Sequence, residues 1–473
     1  MYKIIGCCVG LALITLPITV NADTVSITKQ QRTLIGATLY SNGMALIDDT
    51  RQVNLPSGIN TLRVTSVGPR MLGETMEVTS NSTFQLVEQE LLPVNLTQVE
   101  LLKANLGKSI KIAQTHPTTG EQVVRDAEIV SVQPQLILRI DGQIETSVPG
   151  RLVFPSIPGH LRSSPVFRVV AQTSPATNAA LRLRYLTQGF SWRADHIASF
   201  DADSQRLRLV TQATLSNQSG LDLMDARLQL IAGQVNHVTP QRSAAPQGTR
   251  MLKAEAMVMA DAVAAPPRQS LGGFHLYSLL RAIDLPDGVT KQVPLLPVQN
   301  LPAKRVLISE AHPHLYGRSR GQQPSHPRIE IEFKNDKDTG ANEPIPAGIL
   351  RLYGADKQGR SQFLGENHLA GLPIGETAKI STGQAFDVTV RRKQLDFKRQ
   401  QTSRNLFEVA YEVQLLNGGE KAKIVKVVEN LSGDWQLLDM QSPFKRDGNR
   451  AVWSVSVPAG GEAKASYRVR IRQ

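Results

Sequence analysis

Three of the nine histidines, His312, His314 and His326, have the type and spacing that could hold a metal ion. Alternate residues of an extended segment point the same way, which sets His312 beside His314, and imidazole is a common zinc ligand. The segment around them, AHPHLYGRSRGQQPSHP, is broken by prolines and glycines and reads as an exposed loop. No resident metal is therefore expected. Two acidic pairs, Glu366 with Glu376 and Asp222 with Asp225, have the composition needed for glycoside cleavage. They lie by a Gly- and Pro-containing turn and at a strand start, where acids are commonplace, so the pairing says little. Tyr185, Asp195 and His196 could make a polar cluster, yet no nucleophile accompanies them. The sequence contains no phosphate loop, dinucleotide glycine fingerprint, nucleophile elbow or zinc-protease helix. No catalytic residue and no cofactor are assigned.

Charge offers a different chemistry. Lys and Arg total 53 against 41 Asp and Glu, a formal charge of +12. Arg391, Arg392, Lys393, Lys398 and Arg399, with Arg404, surround the single acid Asp396. On strands these cations are expected to share one surface, which would attract anionic lipid head groups or an acidic glycan. A merely solvated face is the simpler reading. Nucleic acid is an unlikely partner, because aromatic residues are sparsely interleaved with the cations.

The elements that must position these residues are strands. Leu181, Leu183 and Tyr185 alternate with Arg182 and Arg184, and Ile329, Ile331 and Phe333 with Arg328, Glu330 and Glu332. The same period of two recurs at Trp453–Val457 and Tyr467–Ile471. Each run describes a strand with one buried and one wet face, as in antiparallel sheets. Asn42-Gly43 and Asp141-Gly142 between such runs are hairpin signals. One short helix is expected at 97–106, with Thr97 as cap, Glu100 closing a capping box, Val99, Leu102 and Leu106 on one face, and Gly107 as stop. The fold class expected is all-β: antiparallel β-sandwich domains, a small SH3-like barrel and one short helix.

Residues 1–22 have the pattern of a secretory signal peptide: Lys3, an uncharged run from Ile4 to Val20, and Val20-Asn21-Ala22 before Asp23. Removing them leaves 473 − 22 = 451 residues with a charge of 52 − 41 = +11. Both cysteines, Cys7 and Cys8, go with the leader, so disulfides and thiolate chemistry are not expected in the mature chain. No other apolar run approaches a membrane span. The remainder divides into 23–104, an N-terminal β unit; 105–150, the small barrel; 151–238, the first half of a sandwich core domain; 239–272, an Ala/Pro/Met-rich linker; and 273–473, a C-terminal sandwich. Limited proteolysis, followed by mass spectrometry, is expected to cut first within 239–272; an earlier cut elsewhere would undo this division. Asn81, Asn95, Asn217 and Asn430 head N-glycosylation sequons, which matter only in a glycosylating host.

The stretch Tyr185-Leu-Thr-Gln-Gly189-Phe-Ser-Trp192-Arg-Ala194-Asp195, followed by Asn217-Gln-Ser219-Gly220 and Ala226 to Gly233, resembles the domain of unknown function 4139 family, the mucoidy-inhibitor-A-like proteins. Leu55-Pro56-Ser57-Gly58, Phe154-Pro155 to Pro158, Pro346 to Tyr353, Leu364-Gly365-Glu366 and Gly383 to Asp387 resemble its flanking parts, so the similarity spans nearly the whole mature chain. His196 departs from it, standing where an aromatic is expected. The resemblance implies an exported, mostly β protein and transfers no catalytic residues. The motif residues Tyr185, Gly189, Trp192, Ala194, Asn217, Gly220 and Gly233 read as structural: a core anchor, a hairpin turn and a close backbone approach. The expectation is a periplasmic or otherwise extracytoplasmic envelope protein that binds a protein, an anionic glycan or a lipid. The alternative is a hydrolase of cell-surface polysaccharide.

Overall fold

Alternation becomes strand after strand. In a computed structural model, the described residues are 23–472 apart from 117, 149, 234, 237–268, 272, 320–322, 339–342, 400–405 and 441–442. They form thirty-two strands, one α-helix and two single-turn 3-10 helices. The expected leader and most of 239–272 lie outside them. No helix among the described residues is long and apolar enough to cross a membrane. The chain divides into two units: residues up to Ser191 with Ser216–Leu230 and Ser278–Val289, and Trp192–Leu215 with Ile231–Tyr277 and Thr290–Gln473.

In the first unit, Arg32–Tyr40 and Met44–Leu55 form the hairpin announced by Asn42-Gly43, and Thr177–Gln188 pairs along the whole length of Met44–Leu55. The inward residues Leu39, Ile47, Val53, Leu181, Leu183 and Tyr185 are at most 1% exposed. A four-stranded sheet of Asp23–Ile27, Gly58–Val64, Val166–Thr173 and Phe84–Leu92 contributes Ile27, Leu62, Val64 and Val169 to the buried set. Arg51, fully buried, links the two sheets: its guanidinium donates to Asp49 and to the carbonyls of Ile27 and Thr65. Ser109–Thr115, Gln122–Ser131, Ile137–Ile140 and Gln143–Glu145 form an antiparallel meander, and Arg151–Val153 returns to Ser109–Thr115. Asp141 and Gly142 turn with φ of 48° and 84°, the positive values that a two-residue hairpin of this kind requires.

The helix spans Gln98–Ala104, capped by Thr97 through the Glu100 amide. Only Leu102 is buried; Val99 and Leu106 are 46% and 53% exposed, and the Glu100 carboxylate pairs with Lys103. Seven residues are too few to present a full apolar face, so one side chain docks on the meander core.

In the second unit, Ser361–Leu369, Gly348–Ala355, Phe190–Asp201, Arg206–Asn217, Gln299–Ala311, Lys423–Asn430 and Arg450–Val457 follow one another across a large sheet. A four-stranded sheet, in the order Val388–Arg399, Leu406–Asn417, Glu462–Arg472 and Asp434–Met440, completes a sandwich. Its shared core includes Val390, Tyr411, Val413, Val427, Trp435, Trp453, Tyr467 and Ile471. Burying each such side chain contributes about 1.5–3 kcal/mol. Not all pairing is antiparallel. Asp23–Ile27 runs parallel to Gly58–Val64, Phe190–Asp201 to Gly348–Ala355, and Gln299–Ala311 to Lys423–Asn430. Alternation is blind to strand direction, and the intervening chain is long enough for such crossovers.

Candidate functional site

The residues with the greatest chemical potential lie on neighbouring strands of the second unit. Phe190–Asp201 and Arg206–Asn217 are sequence neighbours, and Gly348–Ala355 joins the first of them in parallel, Ala194 opposite Gly348. A Cβ on Gly348 would lie 2.2 Å from the Ala194 carbonyl oxygen, so this pairing needs glycine. Consecutive residues of a strand face opposite sides, and Asp195 and His196 accordingly take different partners. Asp195, 2% exposed, accepts from the Thr214 hydroxyl at 2.5 Å, Arg351 Nη1 at 2.9 Å and Arg193 Nε at 3.2 Å. Burial pushes its pKa up, but those bonds and charges outweigh it and hold the carboxyl below its ordinary range. Arg351 is shared with Glu366 at 3.4 Å, so this acid of the proposed pair is engaged in an ion pair.

His196 is fully buried between the Thr211 hydroxyl at Nδ1 and the Pro346 carbonyl at Nε2, both at 3.0 Å. A carbonyl only accepts, which places the proton on Nε2 and leaves Nδ1 to accept from Thr211. Burial lowers the pKa to about 4, opposed by the Pro346 bond and the Asp195 charge. The imidazole is therefore a neutral cross-brace. Because protonation is disfavoured in the fold, its stabilisation is complete above pH 6.5, the unfolded value, and is lost as pH falls from 6.5 to about 4. Urea melts of His196→Gln are expected to show a shallower loss of stability over that window than the parent. Equal slopes would show that His196 is not the group responsible.

The motif residues have structural tasks. Tyr185 is buried in the first unit, accepts from the Gly68 amide at 3.3 Å, and has its pKa raised to about 12 by burial. Tyr185 belongs to the first unit, and Asp195 and His196 to the second. Trp192, 5% exposed, donates to the Ile231 carbonyl at 3.1 Å. Gly189, Gly220 and Gly233 have φ of +93°, +77° and +124°, and a Cβ at each would come within 2.7 Å of Gln218, Pro69 or Phe274. Asn217 is wholly buried: it donates to the carbonyls of Leu221 and Leu285 at 2.8 Å each and accepts from the Ser219 amide and hydroxyl. Its sequon is therefore closed to glycosylation in the folded protein. The expected hairpin at Asn217–Gly220 is instead a change of sheet, since Arg206–Asn217 and Leu223–Ala232 belong to different sheets.

The five cations do not share one surface. Val388–Arg399 faces the core through Val388, Val390 and Arg392, and a bulge between Gln394 and Asp396 then inverts the alternation. Arg391, Lys393 and Lys398 face outward. Arg392 is 4% exposed and donates from Nε to Glu429 at 2.7 Å and from Nη2 to Ser309. Arg399, exposed at the end of the strand, has its guanidinium carbon 5.7 Å from the Phe407 ring centre. Nor is the outer face purely basic: Arg468 and Lys398 pair with Asp396 at 2.8 and 3.5 Å, and Arg470 with Glu408 at 2.7 Å. Glu429 is fully buried; burial raises its pKa, while Arg392 and the Tyr467 hydroxyl at 3.2 Å oppose the shift. The alternation around Arg392 was the signal that could have placed it inside.

Of the proposed metal ligands, His326 Nδ1 bonds the Val388 carbonyl at 2.8 Å. Among the described residues no three His, Cys, Asp or Glu side chains converge as a metal site. No family model matches the chain, and no curated protein matches it.

Proposed function

We propose that the protein is an exported, non-enzymatic binding or scaffold module of the cell envelope, a relative of the mucoidy-inhibitor-A-like proteins it resembles, whose partner is an anionic glycan displayed there. The observation that carries the reading is how the buried ionisable groups are used. Asp49 with Arg51 of its own strand and Arg32 of the next, Asp195 with Arg351, His196 with Thr211, and Glu429 with Arg392 each satisfy one another within or between the sheets. Groups so tied rigidify a scaffold, whereas a general acid or base must face a reacting atom. Lipid and protein partners are outcomes of the same test. Chain beginning at Asp23 would be applied to an acidic-oligosaccharide array and to anionic vesicles, and crosslinked in intact cells. Retention on acidic glycan without release of new reducing ends is expected. New reducing ends would establish the hydrolase reading instead, and retention only by vesicles or a protein would replace the glycan.

A further inference from the structure

One aromatic ring stands apart from the apolar residues of the second unit. Phe386 is 92% exposed, although large apolar side chains are ordinarily buried. Its backbone is pinned on both sides: the Ala385 amide donates to Pro327, and the Val388 amide to Ala385. Its ring lies parallel to that of His326, with centres 6.3 Å apart and planes 9° from parallel. His326 is itself fixed by its bond to the Val388 carbonyl. The backbone that carries the ring is thus held in place before any ligand arrives, which reduces the entropy lost on binding.

The next residue supplies polar chemistry. Asp387 accepts from Lys423, and Gly418 donates to the Asp387 carbonyl. Gly419 keeps this corner open, since a Cβ there would lie 2.7 Å from Asp387 Oδ2 and 3.2 Å from Lys423 Nζ. The exposed Arg305 stands two residues before Leu307, the parallel strand partner of Val425, as Lys423 stands two residues before Val425. Among these three groups the two cations outnumber the one acid. The scale of the feature limits its occupant. One phenyl ring offers about 150–250 Å², whereas a stable protein interface needs about 800 Å² from each partner. A sugar ring is the size of the platform, and its hydroxyls suit a neighbouring carboxylate and ammonium.

We propose that Phe386, stacked on His326, is the platform for one ring of an anionic pyranose, with Lys423 and Arg305 meeting its carboxylate or phosphate and Asp387 its hydroxyls. This rests on the glycan-binding reading and names its site. The test is titration calorimetry with acidic oligosaccharides taken from the array, some bearing uronic acid and some phosphate, each beside its neutral counterpart. Phe386→Ala is expected to weaken binding at least tenfold and Phe386→Trp to restore it. Arg305→Ala should weaken the acidic ligand but not the neutral one. The control Phe363→Ala, at another exposed aromatic, should leave affinity unchanged. Which of the two acidic ligands loses affinity in Arg305→Ala decides between carboxylate and phosphate. Unchanged affinity in Phe386→Ala, with the parent still binding, would overturn the site and leave the function standing. A parent that binds no acidic oligosaccharide would overturn both.

Discussion

Replacing Arg392 by alanine should destabilise the C-terminal sandwich by about 3–5 kcal/mol, the usual cost of leaving one member of a buried ion pair without its partner. Glu429 would remain fully buried with the Tyr467 hydroxyl and the nearby His312 left to compensate it, and Ser309 would lose its guanidinium donor. The double replacement Arg392→Met with Glu429→Leu should recover most of that loss, because an apolar pair of similar volume avoids desolvating either charge. Denaturant melts of the three proteins decide the matter. An alanine variant as stable as the parent would show that Arg392 reaches water. Were Arg392 a ligand-binding cation of the surface, glycan affinity would fall while stability held, the opposite pattern.

Asn217→Asp carries the second large effect. The side chain keeps its shape but loses both protons that Nδ2 donates to the Leu221 and Leu285 carbonyls. Each buried acceptor left without a donor costs about 1–3 kcal/mol, and the new carboxylate would face two carbonyl oxygens in a site without exposure. The expected outcome is a loss of several kcal/mol, with the midpoint of unfolding rising at acidic pH as the carboxyl protonates and regains one donor. Asn217→Ser, which is smaller and uncharged, should cost less. A melt of Asn217→Asp coincident with that of the parent would mean that the turn tolerates the missing bonds.

These residues show where reading the sequence succeeds. Leu181, Leu183 and Tyr185 proclaim their burial by a period of two, because a strand sends neighbours to opposite faces wherever it is placed. Asp141-Gly142 announces its hairpin because few residues accept positive φ. The helix was legible in its Thr97 cap, which is a local bond. The three parallel pairs were not, since strand direction depends on residues far apart in the chain.

The site divides in the same way. Trp192 and the glycines of the motif stood out by type, yet Thr211, Thr214 and Arg351, which complete the environments of Asp195 and His196, did not: they are ordinary residues until pairing brings them together. Arg392 was grouped with its neighbours because a run of cations looks like one surface. Its alternation with Val388 and Val390 was the local signal overlooked; the bulge, which arises from pairing with Leu406–Asn417, falls beyond it, between Gln394 and Asp396. Phe386 is the converse case, an apolar residue that alternation would bury and a turn exposes.

By itself the amino-acid order determined that this chain builds sheets, where several turns fall, and that both cysteines lie within its first ten residues. The sheets and turns follow from backbone sterics and side-chain period, which act over a few residues. Only the tertiary structure decided which charges are buried, which strands run parallel and which ring is left in water. Those depend on partners brought from tens to more than a hundred residues away, as Glu429 is to Arg392 and Pro346 to His196.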